Sequence, residues 1–228
     1  MTLSTKHSFA HADIYLGSTD DARENYDKTI ATLAERLGPV AAMRQVHSDK
    51  VKFAPSAGFY PECDAIYSDA PNLWLSVSTA DCVPILLWSK YCVAAIHGGW
   101  RGLASDILQK TITQLQQSFG TEACDLNMYI GPCIQQSHYE VPADFSNRFP
   151  ADCFTNSSKA NHLQLNLPKI ATRQAQQAGI LLENITDCGI NTYTNTKLYS
   201  YRRHKKEQTP FAVQPTLIRL KTGTETNV

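Results

Sequence analysis

An α+β domain built on mixed β-sheets with flanking helices is the fold this sequence predicts. One observation is the stretch from Val40 to Ile96, which breaks into short extended apolar segments rather than amphipathic turns. Another is three well-separated segments with helical periodicity, so that strands and helices do not alternate as regular βαβ units. The last is size: 228 residues, 43% of them apolar, give ample core for one domain spanning residues 1–228.

The first helix is expected over Asp20–Leu37. Asp20 is its cap, Tyr26, Ile30, Leu33 and Leu37 share a face, and Gly38-Pro39 stops it. Strands are expected at Ala41–His47, Ala65–Tyr67, Leu73–Ser78, Pro84–Trp88 and Cys92–Ile96; the continuous apolar runs suit strands covered on both faces. After Gly98-Gly99-Trp100-Arg101-Gly102 a second helix is expected to reach Phe119. Its buried stripe is Leu103, Ile107, Ile112, Leu115 and Phe119, and Gly120 ends it. Asp125–Ile130 reads as a strand closed by Gly131-Pro132. A third helix starts at Asn166 and Pro168, a cap and first-turn pair, and ends at Gly179. Leu198–Arg202 and Phe211–Leu220 read as the last strands.

Composition excludes several classes of function. Lysine plus arginine number 21, as do aspartate plus glutamate, so the basic footprint of a nucleic-acid binder is absent. The densest basic run, Arg202-Arg203-His204-Lys205-Lys206, reads as a solvated loop. The polar start, Met1 to His7, is unlike a signal peptide, and no apolar run is long enough for a bilayer, which points to the cytoplasm and to no membrane partner. Seven cysteines (63, 82, 92, 124, 133, 153 and 188), with no CxxC pair, argue against a disulfide framework and for reduced thiols, most of them buried.

Reactive side chains gather beside turns in Gln45-Val46-His47, Thr79-Ala80-Asp81-Cys82, His97-Gly98-Gly99-Trp100-Arg101-Gly102 and Ile130-Gly131-Pro132. Two imidazoles and a thiolate, His47, Cys82 and His97, suffice for a catalytic zinc site with an open fourth position. Their spacing matches no local zinc-finger pattern, and a buried cysteine with two hydrogen-bonded histidines has the same sequence. Arg101 beside a glycine turn and a helix start suits a phosphate or carboxylate, or equally a plain turn with a surface ion pair. Asp64 and Asp81 each flank a cysteine; each suits orienting an imidazole, acting as a general base, or capping a turn.

These segments together resemble the bacterial laccase-domain family. Thr79-Ala80-Asp81-Cys82-Val83-Pro84-Ile85 and His97-Gly98-Gly99-Trp100-Arg101-Gly102 carry the match most specifically. Ile130-Gly131-Pro132-Cys133-Ile134, Tyr139-Glu140-Val141, Cys188 and Ser200-Tyr201-Arg202-Arg203 continue it in order over about residues 40–203. The resemblance implies an αββα-type layered sandwich similar to that of cysteine hydrolases, and zinc ligands at His47, Cys82 and His97. It implies phosphorolysis of purine nucleosides (adenosine, inosine, guanosine, methylthioadenosine) and deamination of adenosine, with nucleoside and phosphate as the partners. Other relatives carry multicopper polyphenol oxidase or peptidoglycan-editing labels. The chain departs from the family pattern at Gly98, where alanine is usual. It also lacks an arginine- and glycine-rich segment before the first helix and a glycine-threonine-glycine-arginine turn after Arg203.

Four-copper laccases gather many imidazoles through His-X-His pairs; seven histidines and no such pair argue against that cluster here, while a lone copper in the three-ligand site stays open. In the zinc reading Asp64 or Asp81 shuttles the proton and Arg101 takes the anion, so the expected catalytic set is His47, Asp81, Cys82, His97 and Arg101. Two other readings remain. In one, Cys82 is the nucleophile of a thiol hydrolase or deamidase with His97 or His47 as base. In the other, zinc is structural in a binding module.

Overall fold

A computed structural model describes residues 3–22 and 25–221. Two six-stranded sheets stack face to face. The first runs in the order β1 (Thr5–Ser8), β2 (Ala12–Leu16), β15 (Gln214–Leu220), β7 (Trp74–Thr79), β3 (Val40–Met43) and β5 (Gly58–Tyr60). The second runs β14 (Ile185–Asp187), β10 (Asn127–Ile130), β8 (Val83–Trp88), β9 (Val93–Gly98), β6 (Ala65–Ser68) and β4 (Val51–Phe53). A small third sheet orders β11 (Glu140–Pro142), β13 (His162–Leu165) and β12 (Phe154–Asn156). The helices are α1 (Tyr26–Leu37), α2 (Trp100–Ala104), α3 (Ile107–Phe119), α4 (Leu167–Gln177) and α5 (Tyr201–Glu207). Parallel and antiparallel pairs occur in both large sheets, as in β3 with β7 and β15 with β7.

Side-chain alternation along each strand separates the layers. Leu75 and Val77 of β7, Leu86 and Trp88 of β8, and Ile218 of β15 fill the space between the sheets. From the opposite faces, Trp74 and Leu217 meet Ile30 and Leu33 of α1. Val83, Ile85 and Leu87 meet Ile107, Ile112 and Leu115 of α3, with Ile170 and Ala171 of α4. The layers therefore run helix, sheet, sheet, helix. Strands β7, β8 and β9 are buried along their whole length, which is why Val83–Trp88 and residues 93–96 read as apolar runs; β7 is buried as fully although Ser76, Ser78 and Thr79 interrupt it.

Several boundaries differ from the sequence expectation. Helix α1 begins at Tyr26 because Asn25, not Asp20, caps it by accepting from Lys28 N; residues 23 and 24 of the expected helix lie outside the described residues. The expected strand Ala41–His47 stops at Met43, since the Gln45 amide takes over pairing with the Ser78 backbone. The long second helix is broken between α2 and α3, where Asp106 adopts a left-handed φ of 59°. The expected strand Leu198–Arg202 gives way to α5, because Ser200 accepts from Arg203 N as an N-cap. That helix also absorbs the basic run read as a loop. The hairpin β1–β2, the third sheet and the short strands β4, β5 and β14 carry too little periodicity to be seen in the sequence.

The first sheet is tied across its N- and C-terminal strands by Asp13 and Arg219, which face each other in register. Both the Arg219 Nε and a terminal nitrogen donate to Asp13 Oδ2, at 2.9 and 2.7 Å. Burial pushes the Asp13 carboxyl up, but hydrogen bonds from Ser8 and Arg219 outweigh it and leave the pKa below its ordinary 3.8. A carboxylate depressed in the fold stabilises the protein fully above its unfolded value and loses that contribution as pH falls through the folded one. Asp13→Asn is expected to cost about 2 kcal/mol at pH 7. It should also flatten the stability profile below pH 4, as read by urea denaturation at successive pH values.

Candidate metal centre and cavity

All the reactive segments meet at one end of the sandwich for a topological reason. Strands β3 and β7 are parallel, so their C-terminal ends lie together. The chain then crosses from β7 in the first sheet to β8 in the second, and Cys82 sits on that crossing. Because β9 and β10 run antiparallel to β8, their C-terminal ends, with His97 and Gly131, arrive at the same edge. His47 follows β3 at a left-handed φ of 59°, and Asp81 precedes Cys82 at a φ of 92°; both backbone conformations are costly for non-glycine residues and cluster at functional sites.

His47, Cys82 and His97 come together: one ligand atom from each lies within 4.8 Å of the others. Behind them Asp64 is fully buried. Its Oδ1 accepts from His97 Nδ1 at 2.8 Å and from His47 N at 3.0 Å. Its Oδ2 accepts from Val46 N, Ser48 N and Ser48 Oγ at 3.2, 2.6 and 2.7 Å. With Nδ1 held by the carboxylate, Nε2 of His97 is the nitrogen left for a metal. Burial pushes the Asp64 carboxyl up, yet the His97 and Ser48 hydrogen bonds prevail and bring it to about 2. Burial likewise raises the Cys82 thiol, and the charge of His97 with hydrogen bonds from both histidines pulls it down to about 6. For His97, burial acts downward and is outweighed by Cys82 and Asp64, which lift it to about 9.

Two imidazoles and a low-pKa thiol are donors that suit zinc or copper. Backbone shape agrees with this use: a Cβ on Gly99 would stand 3.3 Å from Cys82 Sγ and 3.4 Å from His47 Cδ2, so glycine leaves the cluster uncrowded. Gly98 lies close to β8, where a Cβ would approach the Val83 carbonyl oxygen to 2.9 Å. Among the described residues no second group of three such ligands gathers, so the other histidines build no further metal cluster.

His47, Cys82 and His97 line a cavity of about 810 Å³. Trp100, Tyr139, Tyr201 and Phe211 provide aromatic walls, and Arg44, Arg101 and Arg202 bring guanidinium groups to it. Arg101 lies over the Trp100 ring, 4.4 Å from its centroid. Arg44 is held by Asp27 at 2.7 Å and stacks on Phe59. Asp81, expected to be catalytic, lines the cavity, but both its oxygens are engaged: Thr192 Oγ1 donates to Oδ1 at 2.6 Å and Arg202 N to Oδ2 at 2.7 Å. Sequence reasoning placed none of Tyr26, Arg44, Leu167, Thr192, Phe211 or Val213 at the site; Tyr26 stood on a helix face and Phe211 and Val213 in a strand. Tyr139, Tyr201 and Arg202 stood in the segments that carry the family resemblance, and that was the available signal.

Residues 4–213 match the family model described as multi-copper polyphenol oxidoreductase laccase. The chain belongs to this laccase family. Proteins similar to it carry a different name. A purine nucleoside phosphorylase of Clostridium acetobutylicum is 32% identical over 170 residues, 73% of this chain and 72% of that one. The purine nucleoside phosphorylase YfiH of Shigella flexneri is 32% identical over 197 residues, 84% and 79% of the two chains. A crystal structure of a Neisseria meningitidis protein superposes with a TM-score of 0.74 at 26% identity, covering 88% of this chain and 83% of that one. The crystal structure of the YfiH protein of Bacillus licheniformis, at 23% identity and a TM-score of 0.75, has a similar fold over 85% of this chain and 80% of that one.

Replacing Asp64 by asparagine removes the charge that orients His97 while keeping the side chain's shape. Zinc affinity of Asp64→Asn, measured by chelator competition, is expected to fall roughly 10- to 100-fold. Unchanged affinity would mean that Asp64 serves the Val46–Ser48 loop alone.

Proposed function

We propose that this chain is a zinc-dependent purine nucleoside phosphorylase that also deaminates adenosine. Its substrates would be adenosine, inosine, guanosine and methylthioadenosine, each split to base and ribose 1-phosphate. The observation that carries this reading is the composition of one cavity: a His-Cys-His cluster faces guanidinium groups and aromatic rings within a single space. The name shared by relatives about one-third identical supports it.

His47, Cys82 and His97 would hold the zinc, which when bound supplies Lewis acidity at the reacting centre. Asp64 keeps the His97 ring in one orientation and so keeps that donor set preorganised. The faces of Trp100, Tyr139 and Tyr201 suit a stacked purine, large and apolar with a polar edge. Arg101 and Arg202 offer forked donors for phosphate. In phosphorolysis a phosphate oxygen bonds to the sugar C1′ as the glycosidic C–N bond breaks and the base departs with the electron pair. Fixed cationic donors near the phosphate and the leaving base stabilise the charge that develops. No helix among the described residues is long and apolar enough to cross a membrane, and the free thiol at Cys82 fits a reducing compartment, the cytoplasm.

One specific observation favours a second reading. Cys82, His97 and Asp64 line up as thiol, imidazole and orienting carboxylate, the order of a cysteine hydrolase.

Chromatography of adenosine and inosine incubated with zinc-loaded protein, with and without phosphate, separates the readings. With phosphate, free base and ribose 1-phosphate are expected; without it, adenosine yields inosine. Cys82→Ala should lower both by at least roughly 100-fold. No product from the zinc-loaded protein, together with stoichiometric alkylation of metal-free Cys82 at neutral pH, would transfer the site to the thiol reading.

A further inference from the structure

Asp81 adjoins the thiol ligand, yet its carboxylate is committed to partners more than a hundred positions away in the chain. It is 7% exposed and sits on strained backbone, with φ at 92°. Oδ1 takes the hydroxyl of Thr192, itself fully buried. Oδ2 takes the backbone N–H of Arg202, in the first turn of α5. That helix has seven residues, too few to hold together without tertiary support. Its free N–H groups are met from two sides: Ser200 Oγ accepts from Arg203 N, and Asp81 accepts from Arg202 N. A carboxylate at this end is further favoured by the helix dipole. Arg203 closes the ring by donating to the carbonyls of Thr192 and Tyr193, both at 2.8 Å, and of Leu198.

We infer that Asp81 is a positioning residue: with Thr192 and Arg203 it fastens the α5 wall of the cavity, Tyr201 and Arg202, to the turn that carries Cys82. Each carboxylate oxygen accepts a short hydrogen bond from the protein, so the side chain is held against Thr192 and α5 rather than left free to swing to a substrate. The strained φ of Asp81 belongs to the same device, since the turn must deliver Cys82 to the cluster and the preceding carboxylate to α5. The cost of the strain is offset by two buried hydrogen bonds to a charged group. Sequence proximity to the metal ligand thus reflects anchoring of the opposite wall.

The test compares amide hydrogen exchange across residues 200–208 in the zinc-loaded full chain and three variants. In Asp81→Ala both bonds vanish, and exchange in α5 is expected to rise at least roughly 10-fold. Asp81→Asn should restore protection, because the amide oxygen accepts from Arg202 N while its N–H group donates to a rotated Thr192 hydroxyl. Thr192→Val removes one bond and should give an intermediate rise; it carries the test if Asp81→Ala does not fold. Steady-state kinetics with inosine and phosphate rest on the phosphorylase reading. There, KM is expected to rise roughly 10-fold in Asp81→Ala with a smaller change in kcat, and to recover in Asp81→Asn. Unchanged exchange in both Asp81→Ala and Thr192→Val would overturn the inference. So would loss of turnover in Asp81→Asn with α5 still protected, the signature of a base. If the unsubstituted protein turns over no nucleoside, the phosphorylase reading fails and the exchange measurement still decides the role of Asp81.

Discussion

The buried carboxylate of Asp64 is the constraint on which the rest of the site depends. An ionised carboxylate removed from water is costly unless its oxygens are fully paired. Here they receive an imidazole N–H, three backbone N–H groups and a hydroxyl. Those same bonds dictate geometry. Three successive amides converging on one carboxylate hold the chain at His47 in its left-handed conformation, while the imidazole contact fixes the ring of His97. One anion thereby sets two of the three donors, and the third, Cys82, follows from the crossing between the sheets.

That crossing explains why a site forms at this end of the sandwich. The C-terminal ends of β3, β7, β9 and β10 and the start of β8 coincide, so turns with reactive side chains share one edge above two rigid sheets. The sheets are packed on both faces and cannot shift without losing core contacts. Two short helices reach the cavity wall: α2 brings Trp100 and Arg101, and α5 brings Tyr201 and Arg202. The tie of α5 to Asp81 makes that wall part of the same scaffold as Cys82, the next residue in the chain.

Much of this was legible in the sequence where local chemistry and global fold agree. The apolar runs of β8 and of β9 up to Ile96 announced strands covered on both faces, and Asn166 with Pro168 announced α4. The ligand trio was proposed from residue types and family resemblance, and the fold brings its members together. What stayed hidden depends on contacts distant in sequence. Asp64 and Asp81 looked equivalent, each beside a cysteine, and only their partners separate them: one meets His97, the other Thr192 and Arg202. Tyr201–Glu207 lacks the length to show helical periodicity, and although its cap Ser200 is local, its carboxylate partner Asp81 lies 121 positions from Arg202. The break between α2 and α3 turns on one residue, Asp106, whose left-handed backbone no apolar stripe betrays.

The central claim is that His47, Cys82 and His97 form one metal centre held in register by Asp64. Cobalt(II) substitution followed by visible and near-ultraviolet absorption tests it most directly, since cobalt reports both geometry and thiolate ligation. The account predicts one equivalent of bound cobalt with intense tetrahedral bands and a thiolate charge-transfer band that disappears in Cys82→Ser. Weak octahedral bands, or a charge-transfer band that survives Cys82→Ser, would contradict it.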